Sequence, residues 1–140
     1  MFTLNIKVPI TGFEKLVRTL DVELDTERLE DEASAILLNR IRTNFLAERD
    51  PEGNPWKPSK AGIARRAKGS TGTLYNTGNL FRSIQLSAKG TSRAIGTNVA
   101  YAEKHQLGIG VEQRIFLGVT QADAELYEKF LLKRIKKALG

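Results

Sequence analysis

Residues 48 to 84 read ERDPEGNPWKPSKAGIARRAKGSTGTLYNTGNLFRSI. It holds three of the four prolines and the only tryptophan. Pro51, Pro55 and Pro58 each remove a backbone donor and push the preceding residue away from helical angles. Gly53, Gly62, Gly69, Gly72 and Gly78 add backbone freedom that ordering must remove. Residues 50–79 are therefore expected to form neither a long helix nor a central strand. A connection of this length inside a compact domain is usually functional or disordered. The reading is a mobile arm that orders on a partner, with the remainder of the chain as its scaffold.

Periodicity returns on both sides. Upstream, Phe2, Leu4, Ile6 and Val8 alternate with polar residues, the mark of a half-buried strand that Pro9 ends. Phe13, Leu16, Val17 and Leu20 suit a short amphipathic helix. Asp25 is the expected N-cap of the longest helix, about Thr26 to Arg49, whose apolar face is Leu29, Ala33, Ile36, Leu37, Ile41 and Phe45. Glu27, Glu30, Asp31 and Glu32 sit near the positive end of its dipole, and the acids are placed mainly on its solvent side. Asp50-Pro51 stops it.

Downstream, Thr77-Gly78 is a turn. Ser83 to Ala88 and Arg93 to Val99 alternate as two strands joined at Lys89-Gly90, a hairpin. Tyr101 to Leu107 reads as one helical turn, Gly108 and Gly110 open a loop, and Arg114 to Leu117 is short and mostly apolar. Thr120 and Asp123 have the spacing of a capping box for a last helix reaching Leu139. Its apolar side is Leu126, Tyr127, Phe130, Leu131, Ile135 and Ala138. The predicted architecture is a single α+β domain over 1–140: an antiparallel sheet of the N-terminal strand and the 83–99 hairpin, with the two long helices packed together against one face.

Composition narrows the chemistry. The chain has no cysteine, which excludes disulfides, thiolate metal sites and cysteine nucleophiles. No apolar run approaches a membrane span, and the N-terminus lacks a secretory pattern, so a soluble chain made in a cytoplasm, with no membrane partner, is expected. The net charge of +6 is uneven. Residues 1–50 carry seven basic and ten acidic side chains, residues 51–100 eight basic against Glu52 alone, and residues 101–140 seven against five. The basic block calls for an acidic partner, either nucleic acid or the acidic face of a neighbouring subunit; the plainer alternative is a solvated loop.

No catalytic constellation assembles. His105 is the only histidine and has no cysteine or ligand-spaced carboxylates beside it; its expected role is packing or hydrogen bonding within its helical turn. Gly108-Ile109-Gly110 lacks the third glycine of a dinucleotide loop, and Lys68-Gly69-Ser70-Thr71-Gly72 lacks the order of a phosphate loop. No catalytic, cofactor or metal residue is assigned, and a non-enzyme is expected. In the arm, Lys57, Lys60, Arg65, Arg66 and Lys68 suit phosphate contacts, with Trp56 or Tyr75 for stacking, the pattern of a sequence-independent nucleic-acid binder. The favoured alternative places Trp56, on backbone stiffened by Pro55 and Pro58, as an anchor at a protein interface.

The order of segments carries a resemblance. A long helix ends in Gly53-Asn54-Pro55-Trp56-Lys57-Pro58, and a basic stretch leads to Leu74-Tyr75-Asn76-Thr77-Gly78-Asn79-Leu80-Phe81-Arg82-Ser83-Ile84. Gly96-Thr97-Asn98-Val99-Ala100-Tyr101-Ala102, His105-Gln106-Leu107-Gly108 and Arg114-Ile115-Phe116-Leu117-Gly118 then precede the last helix. Together they resemble the phage virion morphogenesis family, the tail-completion proteins of Mu-like and P2-like contractile-tailed phages. The likeness spans the whole chain and is densest from Gly53 to Gly118. The chain departs from the family at Ile115, where proline is common, and in a shorter loop before Arg114.

The resemblance implies a structural protein of the phage neck or tail top, acting in tail completion and head-to-tail joining without catalysis or cofactor. It implies subunits in a ring around the DNA channel, a hexamer being one such ring, beside other neck and tail proteins and in passing contact with DNA. Its place would be the host bacterial cytoplasm during assembly and then the virion neck. Gly78, Leu80, Arg82, Ile84, Tyr101, His105, Gln106, Gly108, Arg114, Phe116, Leu117 and Gly118 are the motif residues expected to hold the structure.

Overall fold

The computed structural model describes residues 4–7, 25–74, 78–89 and 92–140. The readings for Phe2 and Val8, the 13–20 helix, Tyr75, Thr77 and Gly90 fall outside the described residues. In chain order the elements are β1 (Leu4–Lys7), α1 (Thr26–Leu46), α2 (Lys60–Ala67), α3 (Asn79–Ser83), β2 (Gln85–Lys89), β3 (Ser92–Thr97), α4 (Ala102–Leu107) and α5 (Gln121–Leu139). The sheet is antiparallel with order β1-β3-β2, Ile95 standing opposite both Ile6 and Leu86. The class is α+β, as the alternating and helical periodicities predict.

One sheet face follows from that register. Leu4, Ile6, Leu86, Ile95 and Thr97 turn inward and are buried or half-buried, while Asn5, Lys7, Gln85 and Ser87 turn to the surface. Helix α1 packs across β2 and β3, and α5 packs along α1. Leu29, Ala33, Leu37, Ile41 and Phe45 of α1 are all buried, and Tyr127, Leu131 and Ile135 of α5 meet them in one core. Ile36 and Phe130 are only half-buried, and Leu126 is exposed. The α5 apolar stripe is therefore narrower than its sequence reading.

Both long helices begin at the expected caps. The Asp25 carboxylate accepts from Arg28 N–H, and Thr120 and Asp123 close a reciprocal capping box. Asp123 also pairs with Arg40, tying the start of α5 to α1. Helix α1 stops at Leu46, three residues short of Arg49, because Glu48 takes a left-handed φ of 57°. The lower strand boundary moves as well: Ser83 ends α3, and its hydroxyl bonds Leu80 O and Thr97 Oγ1.

One acid departs from its expected solvent side. Glu30 is fully buried, facing Arg93 across 3.9 Å. Arg93 Nε donates to Asp31 at 2.7 Å and its terminal nitrogen to Glu27 O at 3.2 Å. The partner lies more than 60 positions away in sequence, so helical position alone sends Glu30 outward. Beside this pair, burial pushes the Tyr127 phenol up to about 12, with the Ser34 hydroxyl opposing the rise and the Glu30 charge adding to it.

A raised phenol pKa favours the neutral form in the folded state. Its stability is fully present below pH 10 and lost as pH climbs through 12. A rise of this size corresponds to about 3 kcal/mol at most. Urea denaturation between pH 9 and 12 is expected to show a steeper loss for the wild type than for Tyr127→Phe, with parallel curves excluding a buried phenol.

Candidate functional site

The 50–74 segment is anchored structure, which corrects the reading of a mobile arm. Trp56 is buried in the core, its ring edge-on to Phe45 with centroids 5.2 Å apart. Its indole N–H donates to Ile115 O at 2.8 Å. An anchor already used this way is not presented to a partner. The flanking prolines set local backbone, and the docking they preorganise is intramolecular.

Residues 57–73 form a closed excursion pinched at Glu48. The Glu48 carbonyl accepts Trp56 N–H at 2.8 Å, and its carboxylate accepts Thr73 N–H at 2.6 Å while pairing with Arg66. Thr73 Oγ1 takes Ser59 N–H at 3.1 Å, and the Ser59 hydroxyl caps α2 by accepting Gly62 N–H. A Cβ on Gly62 would lie 2.7 Å from Thr73 N, so only glycine lets the helix and the returning segment touch. Sequence reading missed α2 because eight residues are too few for a clear period; the Ser59 cap was its one legible signal.

The cations divide by type. Arg65 donates to Gly72 O at 2.6 Å and Arg66 pairs with Glu48, so both brace the excursion rather than await a partner. Lys57, Lys60 and Lys68 are exposed and make no ion pair among the described residues. Trp56 and these lysines are therefore on opposite sides of the segment's role, one inside and three outside.

The motif residues converge on a second construction. Gln106, on α4, accepts Phe116 N–H at 3.0 Å and Leu117 N–H at 3.1 Å, and donates to Leu117 O at 2.8 Å. Buried Arg114 donates through Nε to Lys57 O at 2.7 Å and through its backbone to His105 O at 2.8 Å. Phe116, Leu117, Leu80 and Ile84 enter the core, and the Ile84 carbonyl accepts from Arg42. Gly78, with φ of 80°, precedes α3, whose Arg82 is exposed. Tyr101 is exposed and edge-on to the His105 ring. Burial, then the Arg114 charge, lowers the His105 pKa, so the ring is neutral at pH 7. Gly118 packs on Pro51.

Between these braces an apolar loop, hydrogen-bonded at its base, stands in solvent. Gly108 has φ of 71°, and a Cβ there would meet Gln113 Cβ at 2.8 Å; Gln113 in turn donates to Gln106 O. The loop so held exposes Leu107 (53%), Ile109 (51%), Val111 (42%) and Ile115 (37%). Sequence reading named Leu107, Ile109 and Ile115 only within motifs and gave none of the four a contact role. Their signal was apolar residues spaced through a glycine-bearing loop with no amphipathic period to bury them.

Among the described residues no group of three or more His, Asp or Glu is placed to hold a metal, and no helix is long and apolar enough to cross a membrane. Fold and site thus define a small α+β scaffold that braces two surfaces, one basic and one apolar, around a shared junction. The family model for phage virion morphogenesis matches residues 10–136, and the chain belongs to that family. Its role is in phage virion assembly. Comparison with curated proteins and with solved structures gave no match.

Two substitutions test the junction. Trp56→Ala is expected to destabilise the isolated protein by about 3–5 kcal/mol, the range for emptying a buried aromatic site. Gln106→Leu strands three backbone groups and is expected to cost about 2–4 kcal/mol. Equilibrium denaturation measures both, and a Trp56→Ala protein as stable as wild type would return Trp56 to the surface.

Proposed function

We propose that the chain is a structural protein of the phage neck or tail top that acts in tail completion and head-to-tail joining. It works as a ring-like homo-oligomer, a hexamer being one such ring, beside other neck and tail proteins. It assembles in the host bacterial cytoplasm and takes its place at the tail top. The observation that carries this reading is the braced apolar loop at 107–115 in a chain of the virion morphogenesis family. Four large apolar side chains stand in solvent on a loop whose base is already hydrogen-bonded, which lowers the backbone-ordering cost of docking. Such a patch marks a protein contact more than a catalytic cleft. Ring closure requires heterologous contacts, in which unlike surfaces of neighbouring copies meet.

Deleting the gene and viewing lysates by electron microscopy is expected to show separate heads and tails; normal virions would overturn the proposal. Complementation then tests the loop. Ile109→Asp with Val111→Asp should leave the melting temperature nearly unchanged, since both side chains are exposed, yet fail to rescue joined particles. Full rescue would remove the loop from the interface.

A further inference from the structure

From Gly53 to Ala102 the chain contains no Asp or Glu, though sixteen acids are spread over its 140 residues. Random placement would leave such a 50-residue gap in only about one chain in a hundred. The gap carries eight basic residues, and the structure separates six of them into those with internal work and those without. Arg93 is buried against Glu30 and Asp31, Arg66 pairs with Glu48, and Arg65 is spent on Gly72 O. Lys57, Lys60 and Lys68 stay exposed on the α2 excursion with no ion pair among the described residues.

We propose that the α2 excursion contacts a nucleic-acid backbone through Lys57, Lys60 and Lys68, without reading sequence. Three observations favour phosphate over an acidic protein face. The aromatic that would anchor a protein hot spot, Trp56, is inside the core. The cations of the excursion left without an internal partner are lysines, which are depleted at protein interfaces, whereas Arg65 is bonded to Gly72 O and Arg66 is paired with Glu48. The outward face of α2 otherwise offers Ala64, Ala67 and a single large apolar residue, Ile63, too little for an apolar hot spot. Lys60 and Lys68 stand two helical turns apart, about 12 Å along the axis, far enough to meet separate phosphates. Glu48 holds the excursion shut, so the backbone that carries the three lysines needs no further closing on contact.

This contact goes beyond the assembly role and is read independently of it. Binding of the full-length protein to a fluorescent 30-base-pair duplex of arbitrary sequence is measured by anisotropy from 50 to 200 mM salt. Wild type is expected to bind with a steep salt dependence. Lys57→Gln/Lys60→Gln/Lys68→Gln should make the slope of log K against log salt shallower by about 2.7, near 0.9 for each phosphate no longer neutralised. Lys133→Gln/Lys136→Gln/Lys137→Gln on α5 removes the same charge and should leave the slope close to wild type. Matching thermal melts confirm that both triple variants are folded.

Equal losses in the two variants would show attraction by net charge alone and overturn the assignment. So would an unchanged slope in the α2 variant, or no binding by wild type. Saturable binding to poly-glutamate that depends on these lysines, with none to the duplex, would move the surface to an acidic protein and equally overturn it.

Discussion

The Phe45–Trp56 contact is the joint on which the irregular half of the molecule depends. Phe45 lies in the last turn of α1, and its ring meets Trp56, Phe81 and Phe116 with centroids 5.2, 5.6 and 5.9 Å away. Those three rings come from three separate segments. With no cysteine in the chain, nothing covalent can staple them. The Trp56 and Phe116 rings meet Phe45 edge-on, and such packing adds about 0.5–1.5 kcal/mol per pair beyond the apolar area it buries. The Trp56 indole N–H to Ile115 O bond, the Arg114 bond to Lys57 O and the Glu48 bond to Thr73 N–H then fix the segments' relative positions.

This arrangement explains why the family-motif residues mostly face inward. Gln106 spends its whole amide on the backbone of 116–117, and Arg114 reaches under the excursion to Lys57 O. Their part is to present other residues. The apolar loop and the α2 lysines are what remains outside once the junction is made. The split between arginine and lysine has a physical basis. A guanidinium forms several bonds in a fixed fork and suits internal bracing, whereas an ammonium on a flexible stem suits a solvated, undirected contact.

The parts legible in sequence were those set by local rules. The α1 face from Leu29 to Phe45, the Asp25 cap, the Thr120–Asp123 box and the alternation of Leu86 and Ile95 are local, and the structure reproduces them. The parts misread depend on distant partners. Trp56 looked free because its contacts, Phe45 and Ile115, lie 11 and 59 positions away. Glu30 looked solvated because Arg93 lies on another element. The 50–74 segment looked structureless because prolines and glycines describe what backbone cannot do. They say nothing of a carboxylate such as Glu48 gathering both ends.

The two ends of α1 are held by opposite kinds of force, and each supplies what the other lacks. Apolar burial at the Phe45 end is strong but tolerant of small shifts. The far end is ionic, where Glu30, Asp31 and the Glu27 carbonyl gather Arg93. Burying such charges costs desolvation that the pairing only roughly offsets, so this end adds little net stability. It fixes register instead. Arg93, Ile95 and Thr97 share the inward face of β3, and a one-residue slip would turn Ala94 and Gly96 inward. Glu30 would then be buried without its cation, a penalty of several kcal/mol. The hairpin is therefore pinned against α1 at one end, and the cohesive aromatic end is left to carry the excursion and the loop that meet the outside.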